Sequence, residues 1–159
     1  TRSLQEDLDR LATWETKWKM MFHPDKCVVP PVTRKSKIIE PTYFLHGHKL
    51  TIAKDAKYLG LTFTHDLSWK QHCNNICTKA NQTLGFLRRN LKISNQKVKT
   101  QAYTSLVRPL LEFASSAWDP YNQESINQIE MVQRRGARYV TNNYDWRASV
   151  SKMITSLGW

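Results

Sequence analysis

Asp7 and Asp9 are the carboxylates whose spacing comes closest to that of a catalytic metal pair. Two carboxylates can share a metal ion in phosphoryl transfer only when their side chains point the same way. On a helix, residues two apart point about 200° apart, so this pair cannot share a metal. We therefore interpret both aspartates as part of a solvated helix start. The sequence contains no Asp-Asp pair and none of the usual phosphate-loop, zinc-protease or serine-hydrolase motifs.

Histidines and cysteines offer a second possible chemistry, a metal site. His46 and His48 flank a predicted turn. One predicted helix carries His72, Cys73 and Cys77. Zinc needs four such ligands brought together in space. Because Cys73 falls in the apolar stripe of its helix, we interpret the thiols as core residues and the histidines as turn residues, and we predict no metal site in this chain.

Lys26 follows Pro24 at the junction between a predicted helix and a predicted strand. A lysine that reached the triphosphate of a nucleotide could donate a proton to the leaving pyrophosphate. On composition alone, a lysine at such a junction is more often an ordinary surface charge. Both interpretations stay open on the residues alone.

The charge distribution indicates the class of binding partner. The 159 residues carry 24 Lys and Arg against 13 Asp and Glu, a net charge of +11. Residues 1–66 have a net charge of +3 and residues 67–159 a net charge of +8, with no acidic residue from Leu67 to Leu111. A stretch of one sign favours phosphate contact, so we expect a nucleic-acid partner. The candidate contacts are Arg88, Arg89, Lys92, Lys97 and Lys99, and Arg134, Arg135 and Arg138, whose alternative is a solvated helix face.

Composition excludes several classes of protein. With 40% hydrophobic residues, five glycines and six prolines, the chain is neither collagen-like nor of low complexity. Three cysteines without a Cys-x-x-Cys pattern exclude a disulfide scaffold and favour a reducing compartment. The first thirty residues do not resemble a signal peptide, and no apolar run reaches about 18 residues. We therefore expect an intracellular protein, nuclear or cytoplasmic, with no membrane partner.

The elements that must position these residues form two groups. Periodicity predicts a helix from Ser3 to Phe22, stopped by Pro24. Short apolar runs then predict strands, with Tyr43–Leu45 pairing antiparallel with Leu50–Ile52 around Gly47. A further strand is expected over Tyr58–Thr64, where Gly60 would allow a close backbone approach in a hairpin.

After Leu67 the pattern is helical to the end of the chain. A helix starting at Ser68 carries an apolar stripe, and a second, from about Asn95 to Trp118, is expected to kink near Ser105 because of Pro109. Two more are expected over about 123–140 and 150–157. The predicted fold class is α+β: an N-terminal helix on a small antiparallel sheet, then an all-α bundle. The predicted domains are residues 1–66 and 67–159.

Seven segments together resemble a known family. In chain order they are Leu4-Gln5 to Lys26-Cys27 with Trp14, Trp18 and His23-Pro24; Leu45-His46-Gly47; Lys57-Tyr58-Leu59-Gly60; Leu67-Ser68-Trp69; Leu106-Val107-Arg108-Pro109 with Trp118-Asp119-Pro120; Val132-Gln133-Arg134-Arg135; and Leu157-Gly158-Trp159. Their order and spacing resemble the reverse transcriptase (RNA-directed DNA polymerase) of LINE-type, non-LTR retrotransposons. The resemblance runs through essentially the whole chain.

The resemblance implies a place for each segment in that polymerase. Residues 1–66 correspond to the last part of the palm, with Lys26 at the position of a lysine proposed as proton donor and Tyr58-Leu59-Gly60 at the primer-grip hairpin. The helices of residues 67–159 correspond to the thumb. His23 stands where many relatives have Asn. The fingers and the metal-binding aspartates are absent, so the resemblance implies that they precede Thr1 and that Mg²⁺ belongs to the full-length parent.

The expected function follows from charge and resemblance together. The chain is expected to be a fragment that holds the template–primer duplex of RNA and DNA but cannot synthesise DNA alone. Its other expected partner is the missing fingers and palm portion of the parent polymerase. The alternative is a non-enzymatic basic module, derived from a mobile element, that binds nucleic acid or another protein.

Overall fold

The computed structural model describes residues 2–33, 41–91 and 95–159. Within them, helices and short strands confirm the α+β fold class. The chain divides into two compact units, Thr1–Ser68 and Trp69–Trp159, close to the boundary expected near Asp66. The palm and thumb assignments of these units stay predictions. No helix among the described residues is long and apolar enough to cross a membrane.

Helix α1 of the first unit spans Arg2–Trp18, so the predicted end at Phe22 was wrong. The chain leaves the helix at Lys19, which has a φ of +54°. The N–H of Met20 then donates to the carbonyl of Glu15 (3.2 Å), closing the last turn. The N–H of Phe22 donates to the carboxylate of Glu15, which holds the segment after the helix against it.

Two polar side chains of α1 hold the following hairpin, which is formed by β2 (Phe44–Leu45) and β3 (His48–Lys49). The amide of Gln5 pairs with the backbone of Phe44, donating to its carbonyl (3.0 Å) and accepting from its N–H (3.0 Å). The buried carboxylate of Glu15 contacts the imidazole of His46. These contacts between α1 and the hairpin therefore hold the first unit together.

In the part of the chain that the structure describes, the strands form three separate pairs instead of the single antiparallel sheet expected. They are β1 (Val28–Val29) parallel to β4 (Thr51–Ile52), β2 antiparallel to β3, and β5 (Asp55–Tyr58) antiparallel to β6 (Leu61–Thr64). The expected pairing of Tyr43–Leu45 with Leu50–Ile52 was wrong in register. The reason is the two-residue turn at His46 and Gly47, with φ of +52° and +73°, which places His48 opposite Leu45.

The Tyr58–Thr64 segment, expected to be one strand, contains a turn. Leu59 and Gly60 have φ of +47° and +88°, the two positive values that a tight hairpin turn of this kind requires. Tyr58 is the last residue of β5 and Leu61 the first of β6, and these two residues are paired. The segment therefore forms the tip of a hairpin and not a continuous strand.

The described residues of the second unit form helices joined by loops, with no strand among them. The helices are α2 (Lys70–Asn90), α3 (Gln96–Leu106), α4 (Arg108–Glu112), α5 (Ser115–Trp118), α6 (Gln123–Thr141) and α7 (Val150–Ser156). The residue before α2 is Trp69, not Ser68, and no side chain caps its first turn. The bounds of α6 and α7 agree with the prediction to one residue.

The single kinked helix expected from Asn95 to Trp118 was wrong, because the chain breaks twice. Pro109 lies at the start of α4, where its missing N–H leaves no helical bond unmade. The second break is at Ala114, with a φ of +53°. There the indole N–H of Trp118 donates to the carbonyl of Phe113 (2.7 Å), so the exposed end of α4 gains a partner from the buried ring.

The core of the second unit lies where α2, α3, α4 and α6 pack together. It consists of Cys77, Ala80, Leu84, Leu87, Tyr103, Val107, Leu111, Val132, Tyr139 and Val140. Ala80, Leu84 and Leu87 belong to the predicted stripe of α2, and their burial confirms it. Gly136 of α6 lies against the ring of Tyr103, which stacks on Trp159 with ring centres 4.4 Å apart.

Candidate nucleic-acid interface

Helices α2 and α6 run side by side in the same direction. The ammonium of Lys70 pairs with the carboxylate of Glu124 (2.9 Å) near their first residues. Farther along, the guanidinium of Arg135 donates to the side-chain oxygen of Asn81 (3.0 Å). Both pairs join residues 54 positions apart, so the two helices advance together. A parallel pair leaves one long groove open along its length.

This groove has a volume of about 540 Å³, and its lining combines polar side chains, among them the carboxylate of Glu124, with the apolar Cys77 and Met131. Asn74 and Asn81 line it from α2, and Asn127, Gln128 and Arg135 line it from α6. Amides and guanidinium groups donate hydrogen bonds to the phosphate and sugar oxygens of nucleic acids. These amides are not among the site residues predicted from the sequence. Their detectable signal was the seven-residue spacing of Asn74 and Asn81, which places them on one helix face.

Arg134 and Arg135 are exposed on α6. Arg134 lies 3.8 Å from the carboxylate of Glu130, a loose surface pair, while Arg135 is held at the groove by Asn81. Exposed pairs of this kind contribute little to stability, so these guanidinium groups remain accessible to an anion. The structure therefore brings two of the three predicted α6 arginines to the surface beside the amides.

Arg138 has a different environment. Its guanidinium donates to the carbonyls of Asp145 (2.8 Å) and Asn143 (3.4 Å), beyond the end of α6. Arg88, near the end of α2, places its guanidinium 5.4 Å from the centre of the Tyr144 ring. Two predicted residues from separate helices therefore meet at the same segment, 142–148. This cation–π contact was also missed by the sequence analysis.

The remaining predicted cations are spread more widely. Arg89 is exposed near the end of α2, and Lys97 is exposed in the first turn of α3, where its N–H donates to the side chain of Asn95 (2.9 Å). Lys99 is only 6% exposed, with its ammonium 5.4 Å from the ring centre of Tyr139. The structure therefore does not bring Lys99 to the surface. Lys92 lies outside the described residues.

The predicted residues of the first unit lie on turns. Tyr58 and Leu59 are exposed at the tip of the β5–β6 hairpin, followed by Gly60. Lys26 is exposed and ends a short 3-10 turn over Pro24–Lys26, directly before β1. The hairpin form agrees with the resemblance, but contact with a primer and proton donation by Lys26 stay predictions.

The environment of the two α2 thiols agrees with their interpretation as core residues. Cys73 and Cys77 are buried, and burial raises the pKa of both thiols, to about 11 for Cys77. His72 is buried between the rings of Trp69 and Trp118, and burial lowers its pKa. Among the described residues, no three His, Cys, Asp or Glu side chains lie close enough to hold a metal ion.

Curated proteins provide the comparison that decides the resemblance. The chain is 29% identical over 146 residues to a probable RNA-directed DNA polymerase from transposon BS of Drosophila melanogaster. It is 26% identical to the RNA-directed DNA polymerase from mobile element jockey of Drosophila funebris, and 24% identical to that of Drosophila melanogaster. Each match covers 89% of this chain. The chain is a homologue of RNA-directed DNA polymerases of mobile elements.

This finding confirms the resemblance drawn from the seven segments. The chain spans only 16% of the length of each of these polymerases, so the match concerns one part of a much longer protein. No family model matches the chain. No solved structure matches it either.

Proposed function

We propose that this chain is the part of a retrotransposon reverse transcriptase that holds the template–primer duplex of RNA and DNA. The observation that carries the proposal is the polar groove between α2 and α6, bordered by Arg135 in a unit that holds most of the positive charge. Such a surface contacts phosphates and sugars and so tolerates any base sequence. The homology to polymerases of mobile elements supports a primed template as the ligand.

The two units take different parts in this proposal. Residues 1–66 are the last part of the palm, and the hairpin tip at Tyr58, Leu59 and Gly60 lies against the primer. Residues 67–159 are the thumb, whose exposed Arg88, Arg89, Lys97, Arg134 and Arg135 bind the duplex. Lys26 donates a proton to pyrophosphate in the assembled enzyme. The fingers, the remaining palm and the Mg²⁺ ions needed for phosphoryl transfer belong to the parent polymerase.

Duplex binding by the isolated chain is expected to be strongly dependent on salt. Each phosphate neutralised releases counterions, and roughly six phosphate contacts would give a slope of about −5 in a plot of log affinity against log salt concentration. Fluorescence anisotropy with a labelled RNA–DNA duplex measures this slope. Two duplexes of unrelated sequence are expected to bind equally. Salt-independent binding, or binding to only one of the two sequences, would contradict a grip on the sugar–phosphate backbone.

The isolated chain is expected not to polymerise. Two metal ions must align the attacking and leaving oxygens in nucleotide transfer, and the described residues form no carboxylate cluster that could hold them. Incorporation of a labelled nucleotide on a primed RNA template, with Mg²⁺ present, is expected to be undetectable. A full-length reverse transcriptase assayed in parallel provides the positive control. Primer extension that depends on Mg²⁺ would refute this part of the proposal.

A second candidate function is favoured by the exposed apolar surface of the first unit. Leu11, Trp14 and Phe22 line an open depression of about 540 Å³, and Met21 beside it is 89% exposed. An apolar surface of this kind is typical of a protein-binding module. In that case the chain would self-associate in sedimentation experiments and bind a hydrophobic dye strongly, while its affinity for the duplex would be weak even at low salt.

A further inference from the structure

Residues 142–148, between α6 and α7, form a loop whose backbone is held by its own side chains. The loop begins at Asn142, which has a φ of +52°. The side chain of Asn143 accepts from the N–H of Asp145 (3.1 Å), and the carboxylate of Asp145 accepts from the N–H of Arg147 (2.9 Å). Arg138 donates to the carbonyl of Asp145 from α6 (2.8 Å). The loop is thereby preorganised on the helix that carries it.

This loop presents two aromatic rings to solvent. Trp146 is 81% exposed and Tyr144 is 51% exposed. Burying an indole or a phenol ring would stabilise a fold, so a hydrogen-bonded loop that leaves both rings outside does not serve the core of this unit. The rings are available as flat contact surfaces.

Each ring has a guanidinium beside it. The guanidinium of Arg147 lies 5.0 Å from the ring centre of Trp146, and that of Arg88 lies 5.4 Å from the ring centre of Tyr144. The one carboxylate of the loop, that of Asp145, accepts a backbone hydrogen bond within the loop. The surface therefore combines aromatic faces with positive charge. An apolar protein partner would have to bury these guanidinium groups, which is costly unless anions accompany it.

We infer that residues 142–148 bind unpaired nucleotides, with Trp146 stacking on a base and Arg147 and Arg88 contacting phosphates. The inference rests on the proposed function only in taking nucleic acid as the partner. Bases inside a duplex already stack on each other, whereas an unpaired base has free faces. Aromatic rings alternating with cations are the combination that binds single strands without sequence preference. The loop would therefore hold a single-stranded part of the template next to the duplex.

The test compares Trp146→Ala with the unchanged chain, using two labelled probes in fluorescence anisotropy. One is a single-stranded oligothymidylate of about 15 nucleotides and the other a blunt duplex of similar length. Trp146→Ala is expected to lower the affinity for the single strand about tenfold. The affinity for the duplex is expected to stay unchanged. Trp146→Phe, which keeps a flat ring, is expected to retain most of the single-strand affinity.

Tyr121→Ala is the matched control, because Tyr121 is also 81% exposed in the same unit but lies before α6 instead of after it. It is expected to bind both probes normally. Equal single-strand affinity of Trp146→Ala and the unchanged chain would overturn the inference, as would an equal loss with Tyr121→Ala. Loss of self-association in Trp146→Ala without any change in single-strand affinity would show a protein contact instead. If the proposed function fails but this inference holds, the unchanged chain will not bind the duplex, whereas Trp146→Ala will still lower the affinity for the single strand.

Discussion

Gly136→Ala is expected to destabilise the helical unit by about 3 kcal/mol, since the added methyl group would overlap the ring of Tyr103. A Cβ built at Gly136 lies 2.7 Å from Cζ and 2.9 Å from Cδ2 of that ring, and closer still to Cε2. The ring has little room to move, because it is fully buried and stacked on Trp159. Helices α3 and α6 would have to separate. Thermal unfolding is expected to show a melting temperature lower by on the order of 15 °C.

Gly85→Ala provides the matched control for this prediction. A Cβ at Gly85, within α2, meets only the guanidinium of Arg89 at 3.4 Å, an ordinary contact. Removing a glycine from the middle of a helix is expected to stabilise it by about 0.5–1 kcal/mol. The two substitutions are chemically identical and should shift the melting temperature in opposite directions. Equal shifts would show that the close approach of α6 to Tyr103 is not real.

Reversing the charges of Arg134, Arg135 and Arg138 to Glu is expected to weaken duplex binding at least about tenfold. The salt slope is expected to fall by about 1.8, because Arg134 and Arg135 each contact one phosphate in the proposal while Arg138 holds the loop. Arg135 lines the polar groove, its neighbour Arg134 is exposed on α6, and Arg138 supports the loop beyond the end of that helix. The reversal also places three carboxylates where the duplex would bring its phosphates. Anisotropy titrations at several salt concentrations measure both effects.

The control variant reverses three exposed lysines of the first unit to Glu: Lys17, Lys49 and Lys54. Its net charge therefore changes by the same amount as that of the arginine variant. This variant is expected to keep most of the affinity, because the cations proposed to contact phosphates lie in the second unit. Thermal unfolding of both variants checks that they fold. A further variant replaces the three arginines by Gln, which removes their charge but still allows hydrogen bonds. Unchanged duplex affinity of the reversed and Gln variants, with normal folding, would remove this α6 surface from the proposal.

The helical half shows how far local pattern determines structure. The stripe on α2 and the bounds of α6 follow from apolar residues three and four positions apart, which lie on one face of any helix. The same reasoning predicted a continuous helix through Val107 and Ala114, where the structure has breaks. The bond from the Trp118 indole to the carbonyl of Phe113 that stabilises the second break depends on a ring packed in the core. The spacing of apolar residues along the sequence does not reveal such a tertiary contact.

The first unit shows the same limit for strands. Gly47 marked the hairpin turn, but the turn residues His46 and Gly47 set a register that the apolar runs did not reveal. Glu15 is an acidic residue of the N-terminal helix, yet its carboxylate is buried and contacts His46. A buried carboxylate needs partners, and one of them, His46, comes from a hairpin remote in sequence.

The sequence by itself determined the excess of positive charge after Leu67, the α+β class, and the relationship to polymerases of mobile elements, because composition, local periodicity and motif order are properties of the chain. The tertiary structure decided which cations can meet a ligand. It buried Lys99 under Tyr139, used Arg138 to hold the loop, and aligned Asn81 with Arg135 across a groove. Such outcomes depend on which distant elements pack together, and burial and pairing change what an identical side chain can do.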